Sequence, residues 1–525
     1  MRLGSLALGA GLLGATSVAA AQKGLPVDKV YGVNLGSWLL SEPWMFPKEW
    51  VEKMGGDSCD DCSKCAASEF DLVKKLGQDR ADQVFKELKD VNDIADAGLN
   101  TVRIPLGYWI IEDLVDRNSE YYPRGGLEYL KKGLRMLKQK GIHVLLDFHA
   151  MPGVAAINQM FAGRCTADVQ FYTDENYERA LTWAAVMTRM TYQDPDFSTV
   201  FAIEAVNEPV MDASKTPGYG DYQRRFVQVV RSVENELEVQ CQNLDPTKVI
   251  PNPSSADADE AILKRVLEKS ASMMKNILSQ HGSDPSHPSS GIKLPITLGD
   301  DEIAAIRLGH GAGRLPLPMV HLVQPLSNTR ITPGILYLMR LAWSGTVLTG
   351  VITANAFCCP WMVADWWICG FRFMNKDWQF NNPPNPADAA NGPQLYDAHL
   401  YFSFGGVAEP NADSYMRTIC NTDRVQKAYE QNNNPLVFGE WSLATNFDNS
   451  EEFLYDWADA QRHIYAGQAD GWIFWSWKIE EGSPYVTQWS YSNAVKTGYF
   501  KKDPSQLTNP NVCGPWIANS NSTST

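Results

Sequence analysis

Short apolar segments that end in polar residues recur along this chain, and their recurrence restricts its folds more than any other feature. They are VYGVNLGSW (30–38), NTVRIPLGYW (100–109), HVLLDFH (143–149), VFAIEAVNEP (200–209), LYDAHLYF (395–402), PLVFGEW (435–441) and GWIFWSW (471–477). Runs this short, rich in β-branched and aromatic residues, read as buried strands. Amphipathic helix patterns lie between many of them, at 80–97, 126–140, 176–191, 221–240 and 451–466. Strands alternating with helices imply parallel pairing. With CGFRFMN (369–375) as an eighth strand, the expected fold is a (β/α)8 TIM barrel with a large insertion between strands four and five.

The polar residues fall in a pattern. Arg103, His149, Asn207 with Glu208, His399 with Tyr401, Glu440 and Trp475 all lie at or near the C-terminal ends of these segments. In a TIM barrel that end is the catalytic face, so separate strands would deliver these side chains to one mouth. A single strand-end carboxylate is often half of a structural ion pair. A whole set at the same end of successive strands calls for a common pocket.

Two carboxylates across a pocket are the minimum apparatus for cleaving a glycosidic bond: one donates a proton to the leaving oxygen, the other attacks or stabilises the anomeric carbon. Glu208 suits the acid, and the amide of Asn207 beside it suits a sugar hydroxyl. Glu440 suits the nucleophile, with Arg103 and Tyr401 near enough in barrel order to stabilise its charge. His149 and His399 would position the pair or the substrate, and Trp475 offers a platform under a sugar ring. For a retaining pair the carboxyls should lie roughly 5–5.5 Å apart.

Composition narrows the partners. A net charge of −15 and the lack of a Lys/Arg-rich run argue against nucleic acid. Seventeen Trp residues supply material both for the core and for stacking on sugars. The start, MRLGSLALGAGLLGATSVAAAQ, has the pattern of a secretory signal over residues 1–21. Ten Cys, at 59, 62, 65, 165, 241, 358, 359, 369, 420 and 513, fit an oxidising compartment. The cluster CDDCSKC has the spacing of half a zinc site, but no second pair follows, and disulfides of open connectivity are expected instead.

Barrel segments are expected at 22–240 and 369–510, an insertion at 241–368 and a polar tail with one sequon at 511–525. Within the insertion, residues 341–364 carry no charge and are long enough to span a membrane. A span there would divide the barrel between two sides of a bilayer, so no membrane span is expected. The region is either a subdomain packed on the barrel or a stretch foreign to the mature protein, such as translated non-coding sequence.

GVNLGSWLLSEPW, NTVRIPLGYW, AVNEP, HLYF, FGEW and GWIFWSWK, in this order, resemble glycoside hydrolase family 5, most closely its fungal exo-β-1,3-glucanases. The resemblance covers most of residues 30–240 and 369–500 and implies a (β/α)8 barrel and a retaining mechanism. By it, Glu208 matches the acid/base and Glu440 the nucleophile. Arg103, His149, Asn207, His399, Tyr401 and Trp475 match other pocket residues, and Glu42 matches an acidic group that grips a terminal sugar. Two departures stand out. VAAINQMFAGR replaces the usual polar loop after DFHAMPG, and the connection between strands four and five is enlarged.

The expectation is therefore a secreted, extracellular or cell-wall-associated monomer that needs no cofactor or metal and releases glucose from the non-reducing end of β-1,3-glucan. The alternatives are an endo-acting or β-1,6- or β-1,4-specific enzyme of the same family and a non-catalytic wall-glucan-binding protein.

Overall fold

The computed structural model describes residues 25–58, 61–62, 64–81, 88–239, 241, 244–245, 256–281, 341–343, 346–348, 370–375 and 385–517. Eight strands close into a barrel: β1 (Val30–Asn34), β2 (Thr101–Gly107), β3 (His143–Ala150), β4 (Val200–Glu204), β5 (Gly370–Met374), β6 (Gln394–His399), β7 (Leu436–Glu440) and β8 (Gly471–Phe474). Each strand pairs in parallel with both neighbours, and β8 returns to β1. The (β/α)8 expectation holds, including the eighth strand.

Outward-facing residues of the strands form one large core with the surrounding helices. Phe148 of β3 stacks on Trp183 at 4.0 Å, and Phe438 of β7 stacks on Tyr465 at the same distance. The helices expected at 126–140, 176–191, 221–240 and 451–466 occur at Gly126–Gln139, Asp174–Gln193, Tyr219–Glu236 and Glu451–Gly467. Thr173 and Ser450 cap the second and fourth, each side chain accepting from a backbone N–H three residues on. The pattern at 80–97 is helical at Gln78–Ala81 and Val91–Asp96; residues 82–87 lie outside the described residues.

The span 241–368 contains a helix, Ala256–His281, that belongs to the barrel's outer layer. Its Val266, Met273, Met274 and Ile277, which share one helix face through separations of seven, four and three residues, are buried in the same core as the neighbouring helices. Ion pairs from Arg225 to Asp259 and from Arg265 to Glu178 flank that contact. A second compact unit, 281–365, is described only at an antiparallel pair, Leu341–Trp343 with Thr346–Leu348. The rest of the uncharged stretch 341–364, the leader at 1–21 and the sequon lie outside the described residues. Among the described residues no helix is long and apolar enough to cross a membrane. Disulfides join Cys62 to Cys165 and Cys420 to Cys513.

Inside the barrel, period-two alternation builds layers. Leu145, Ala202, Leu395, Val437 and Ile473 form a small apolar cluster with Val30 and Leu25. Two residues further along their strands come Asp147, Glu204, Asp397 and Gly439, with Arg103 on β2 and Arg372 on β5. Every charged side chain of this second layer is fully buried. Gly439 leaves room for it: a Cβ there would collide with the Arg372 guanidinium and the Asp397 carboxylate. Its N–H also donates to Asp397 Oδ1 at 2.8 Å. The Gly439→Ala variant should therefore lose about 3 kcal/mol or more in denaturant unfolding, since the layer has no slack for a methyl group. A loss under about 0.5 kcal/mol would show that the ion layer can move aside.

Candidate active site

The charged layer carries the site above it. Arg103 is fully buried, and its guanidinium has five partners within 3.0 Å among the described residues. Nε donates to Glu204 at 2.9 Å and Nη2 to Asn207 Oδ1 at 2.9 Å. Nη1 meets Glu440 Oε1 at 2.7 Å, Asn34 Oδ1 at 3.0 Å and Asp147 at 3.0 Å. Arg372 pairs with Asp397 at 2.5 Å. A buried cation needs such a shell, because its desolvation is otherwise uncompensated.

Glu440 reaches the site through an irregularity in its strand. Phe438 pairs with Ala398, but the next pair is Glu440 with His399, so Gly439 is an extra residue in β7. Simple alternation from Val437 would send residue 440 outward beside Phe438; the bulge turns it inward. There it accepts from Arg103 on one oxygen and from the Tyr401 hydroxyl, 2.9 Å away, on the other. Burial raises its pKa, and the charges of His399 and Arg103 oppose that rise.

Glu208 lies beyond β4 with φ of 41°, in the left-handed region a non-glycine residue seldom occupies. Pro209 follows, which further disfavours helical backbone at 208. Strain of this kind persists where the surroundings enforce it and concentrates at working sites. Preceding it, Asn207 donates its N–H to the Phe148 carbonyl on β3 at 3.0 Å. The closest side-chain oxygens of Glu208 and Glu440 lie within 4.8 Å of each other.

His399 stands between them. Its Nδ1 is 2.7 Å from Glu208 Oε1 and 3.5 Å from Glu440 Oε2, and its Nε2 is 3.2 Å from Asp397. Burial alone would strip its proton, but Glu440 and Asp397 hold its pKa well above the usual imidazole value. His149 is the opposite case, pushed down to about 3, chiefly by burial. The neutral ring shares a hydrogen bond between its Nδ1 and Asp147 Oδ2 at 2.5 Å and stacks on Trp475, with centroids 5.6 Å apart.

Glu42, His149, Asn207, Glu208, His399, Tyr401, Glu440 and Trp475 all line one cavity of about 970 Å³. Arg103 lies beneath its floor. Trp44, Phe161, Phe404, Tyr485 and Trp489, which sequence reading missed, line it as well. Asn34, Asp147, Glu204, Arg372 and Asp397 were also missed. Their signal was present in the spacing, since Asp147 and Asp397 stand two residues before His149 and His399. Glu208, His399 and Glu440, and likewise Glu204, Asp397 and His399, are close enough to share a cation. In both sets the positive charge of His399, with Arg103 beside it, already serves the carboxylates.

Glu42 is buried and accepts from Trp44 Nε1 at 3.0 Å, while its Oε1 has no hydrogen-bond partner among the described residues. Burial pushes its pKa up to about 8. Burial likewise raises Glu69 and Asp147 to about 7 and Glu204 to about 8. The fold therefore holds protons that the unfolded chain releases near pH 4 to 4.5. Stability from these groups is present at the acidic end of this window and is lost as pH rises towards about 8. Glu42→Gln should match wild type near pH 5 and exceed it near pH 8, on the order of 2 kcal/mol, in thermal or denaturant unfolding. Equal stability at both pH values would contradict a proton held at Glu42.

Comparison with known proteins follows the same lines. The pattern of the family described as Cellulase (glycosyl hydrolase family 5) matches residues 74–268. Glucan endo-1,6-beta-glucosidase B of Emericella nidulans is 27% identical over 526 residues, covering 97% of this chain and 93% of that protein. Probable glucan 1,3-beta-glucosidase A of Aspergillus fumigatus is 31% identical over 219 residues, covering 40% of this chain and 49% of that one. Among solved structures, rutinosidase from Aspergillus niger aligns with a TM-score of 0.49 at 15% identity, over 90% of this chain and 97% of that one. Over residues 74–268, well under half of its length, the chain is thus similar to glycosyl hydrolase family 5.

Proposed function

We propose that this protein is a retaining β-glucan hydrolase in which Glu440 is the nucleophile and Glu208 the acid/base. The observation that carries the reading is the approach of one oxygen of each carboxylate to within 4.8 Å of the other in one cavity. That spacing supports retention, whereas inverting pairs stand roughly 6.5–9.5 Å apart to admit a water.

Glu440 attacks the anomeric carbon with its charge steadied by Arg103 and Tyr401. Glu208, the more open of the two, protonates the departing oxygen and then activates the water that releases the sugar. Asn207 has its carbonyl oxygen held by Arg103, which turns its amide N–H groups to a sugar hydroxyl. Trp475, backed by His149, supports the ring. Glu42 and Trp44 meet hydroxyls on another side of the cavity.

The relatives that span nearly the whole chain favour endo cleavage of β-1,6-glucan, which replaces exo-β-1,3 cleavage as the leading reading. A cavity at the top of the usual range for ligands, with room for more than one ring, agrees with a chain substrate. Exo-β-1,3 cleavage stays as the second reading because of the motifs and the 31%-identical relative. Export through a leader at 1–21, action as a monomer and an extracellular or cell-wall location belong to the same proposal. Two disulfides among the described residues agree with that location.

Glu440→Gln and Glu208→Gln should each lower kcat on a β-glucan by roughly 10⁴-fold or more. Tyr401→Phe removes one hydrogen bond to a charged group and should cost about 10- to 100-fold. On β-1,6- and β-1,3-glucans, the first products should be short β-1,6 oligosaccharides. Glucose appearing first from β-1,3-glucan would favour the second reading, and no release from either polymer would overturn the proposal.

A further inference from the structure

The Cys-rich segment and the loop after β3 play no part in the chemistry above, yet both border the cavity. Cys62 lines it beside Asn158, Gln159 and Met160. The Cys62–Cys165 disulfide ties the two segments across 103 residues of sequence, and Cys62 Sγ lies 3.5 Å from the Asn158 carbonyl oxygen. Ala67 and Met160 pack around the bridge. Nearby, the Phe70 N–H donates to the Gly163 carbonyl at 3.1 Å, and Asn158 N–H donates to the Thr166 carbonyl at 2.8 Å. Glu69 accepts both the N–H and the hydroxyl of Ser41 at 2.8 Å, next to Glu42. Cys62 and residues 64–70 are thus fastened to the loops after both β1 and β3.

The loop after β3 would not hold this shape unaided. Val154 has φ of 66° and Asn158 φ of 52°. Asn tolerates that region, but a β-branched side chain does not adopt it freely. Such backbone persists only where surrounding contacts over-determine it. Within the loop Asn158 and Gln159 stay exposed and Met160 half-exposed, which leaves two amides and one apolar side chain facing out. Amides exchange hydrogen bonds with sugar hydroxyls, and a thioether packs on a ring face. The loop adjoins the reacting centre through Phe161, whose ring lies edge-on to His149 at 5.4 Å.

We propose that the Cys62–Cys165 bridge holds Asn158, Gln159 and Met160 as a binding wall for the sugar units that flank the one attached to Glu440. The bridge and its wall are then positioning and specificity elements for glucan chains. This inference rests on the hydrolase reading above.

The test compares kcat/KM on a β-gluco-oligosaccharide of about six units with that on an activated aryl β-glucoside, where the wall has little to hold. Two variants are used, Cys62→Ser/Cys165→Ser and the bridge-retaining Gln159→Ala/Met160→Ala, each assayed below its own unfolding temperature. In both, the oligosaccharide-to-aryl ratio should fall about tenfold, mainly through a higher KM for the oligosaccharide. A ratio unchanged in either variant overturns the inference and leaves the hydrolase reading intact. If the cysteine variant does not fold, the ratio measured on the wall variant decides alone. A wild-type protein inactive on every β-glucan would remove both readings together.

Discussion

The guanidinium of Arg103 is the contact on which the rest of the site depends. It draws on Asn34 from β1, Asp147 from β3, Glu204 from β4, Asn207 just beyond β4 and Glu440 from β7. Its strands therefore meet over one shared charge, and the side chains that face the cavity take their positions from it. In such a buried cluster each group is tolerable only because the others are present. Removing one partner strands the remainder, typically at about 3–5 kcal/mol. The layer beneath is apolar and closely packed, so the charged layer cannot sink to relieve a mismatch.

Opposite protonation of the two histidines extends this logic to the cavity. His399 lies among Asp397, Glu208 and Glu440 and keeps its proton, whereas buried His149, beside Arg103's field and Trp475, stays neutral. One ring bridges the two carboxylates as a cation; the other braces an aromatic surface. Neither role can be assigned from residue type alone, because it follows from which charges surround each ring.

Much of this architecture was legible in the sequence. Apolar runs closed by Arg103, His149, Glu208, His399 and Glu440 announced both the strands and the mouth of the barrel. Asp147, Glu204, Arg372 and Asp397 sit inside runs already legible as strands, and they escaped notice because the strand ends, where a barrel keeps its site, drew the search away from strand interiors. They become visible only when alternation is followed inward from the site. Gly439 was hidden for a different reason: alternation predicts an outward Glu440, and the bulge that reverses it depends on pairing with β6. The helix Ala256–His281 was missed because no strand followed it within a usual loop length. Disulfide pairing between Cys62 and Cys165 needed the fold itself.

Comparison with relatives and the geometry of the site answer different questions. The carboxylate spacing speaks to stereochemistry, while the names of the relatives bear on the proposed linkage. The stereochemical claim is the central one, and it is tested most directly by following the anomeric proton signals of the first product by NMR before mutarotation. Retention through Glu440 and Glu208 predicts that the β-anomer appears first from a β-glucan. The α-anomer appearing first would contradict it.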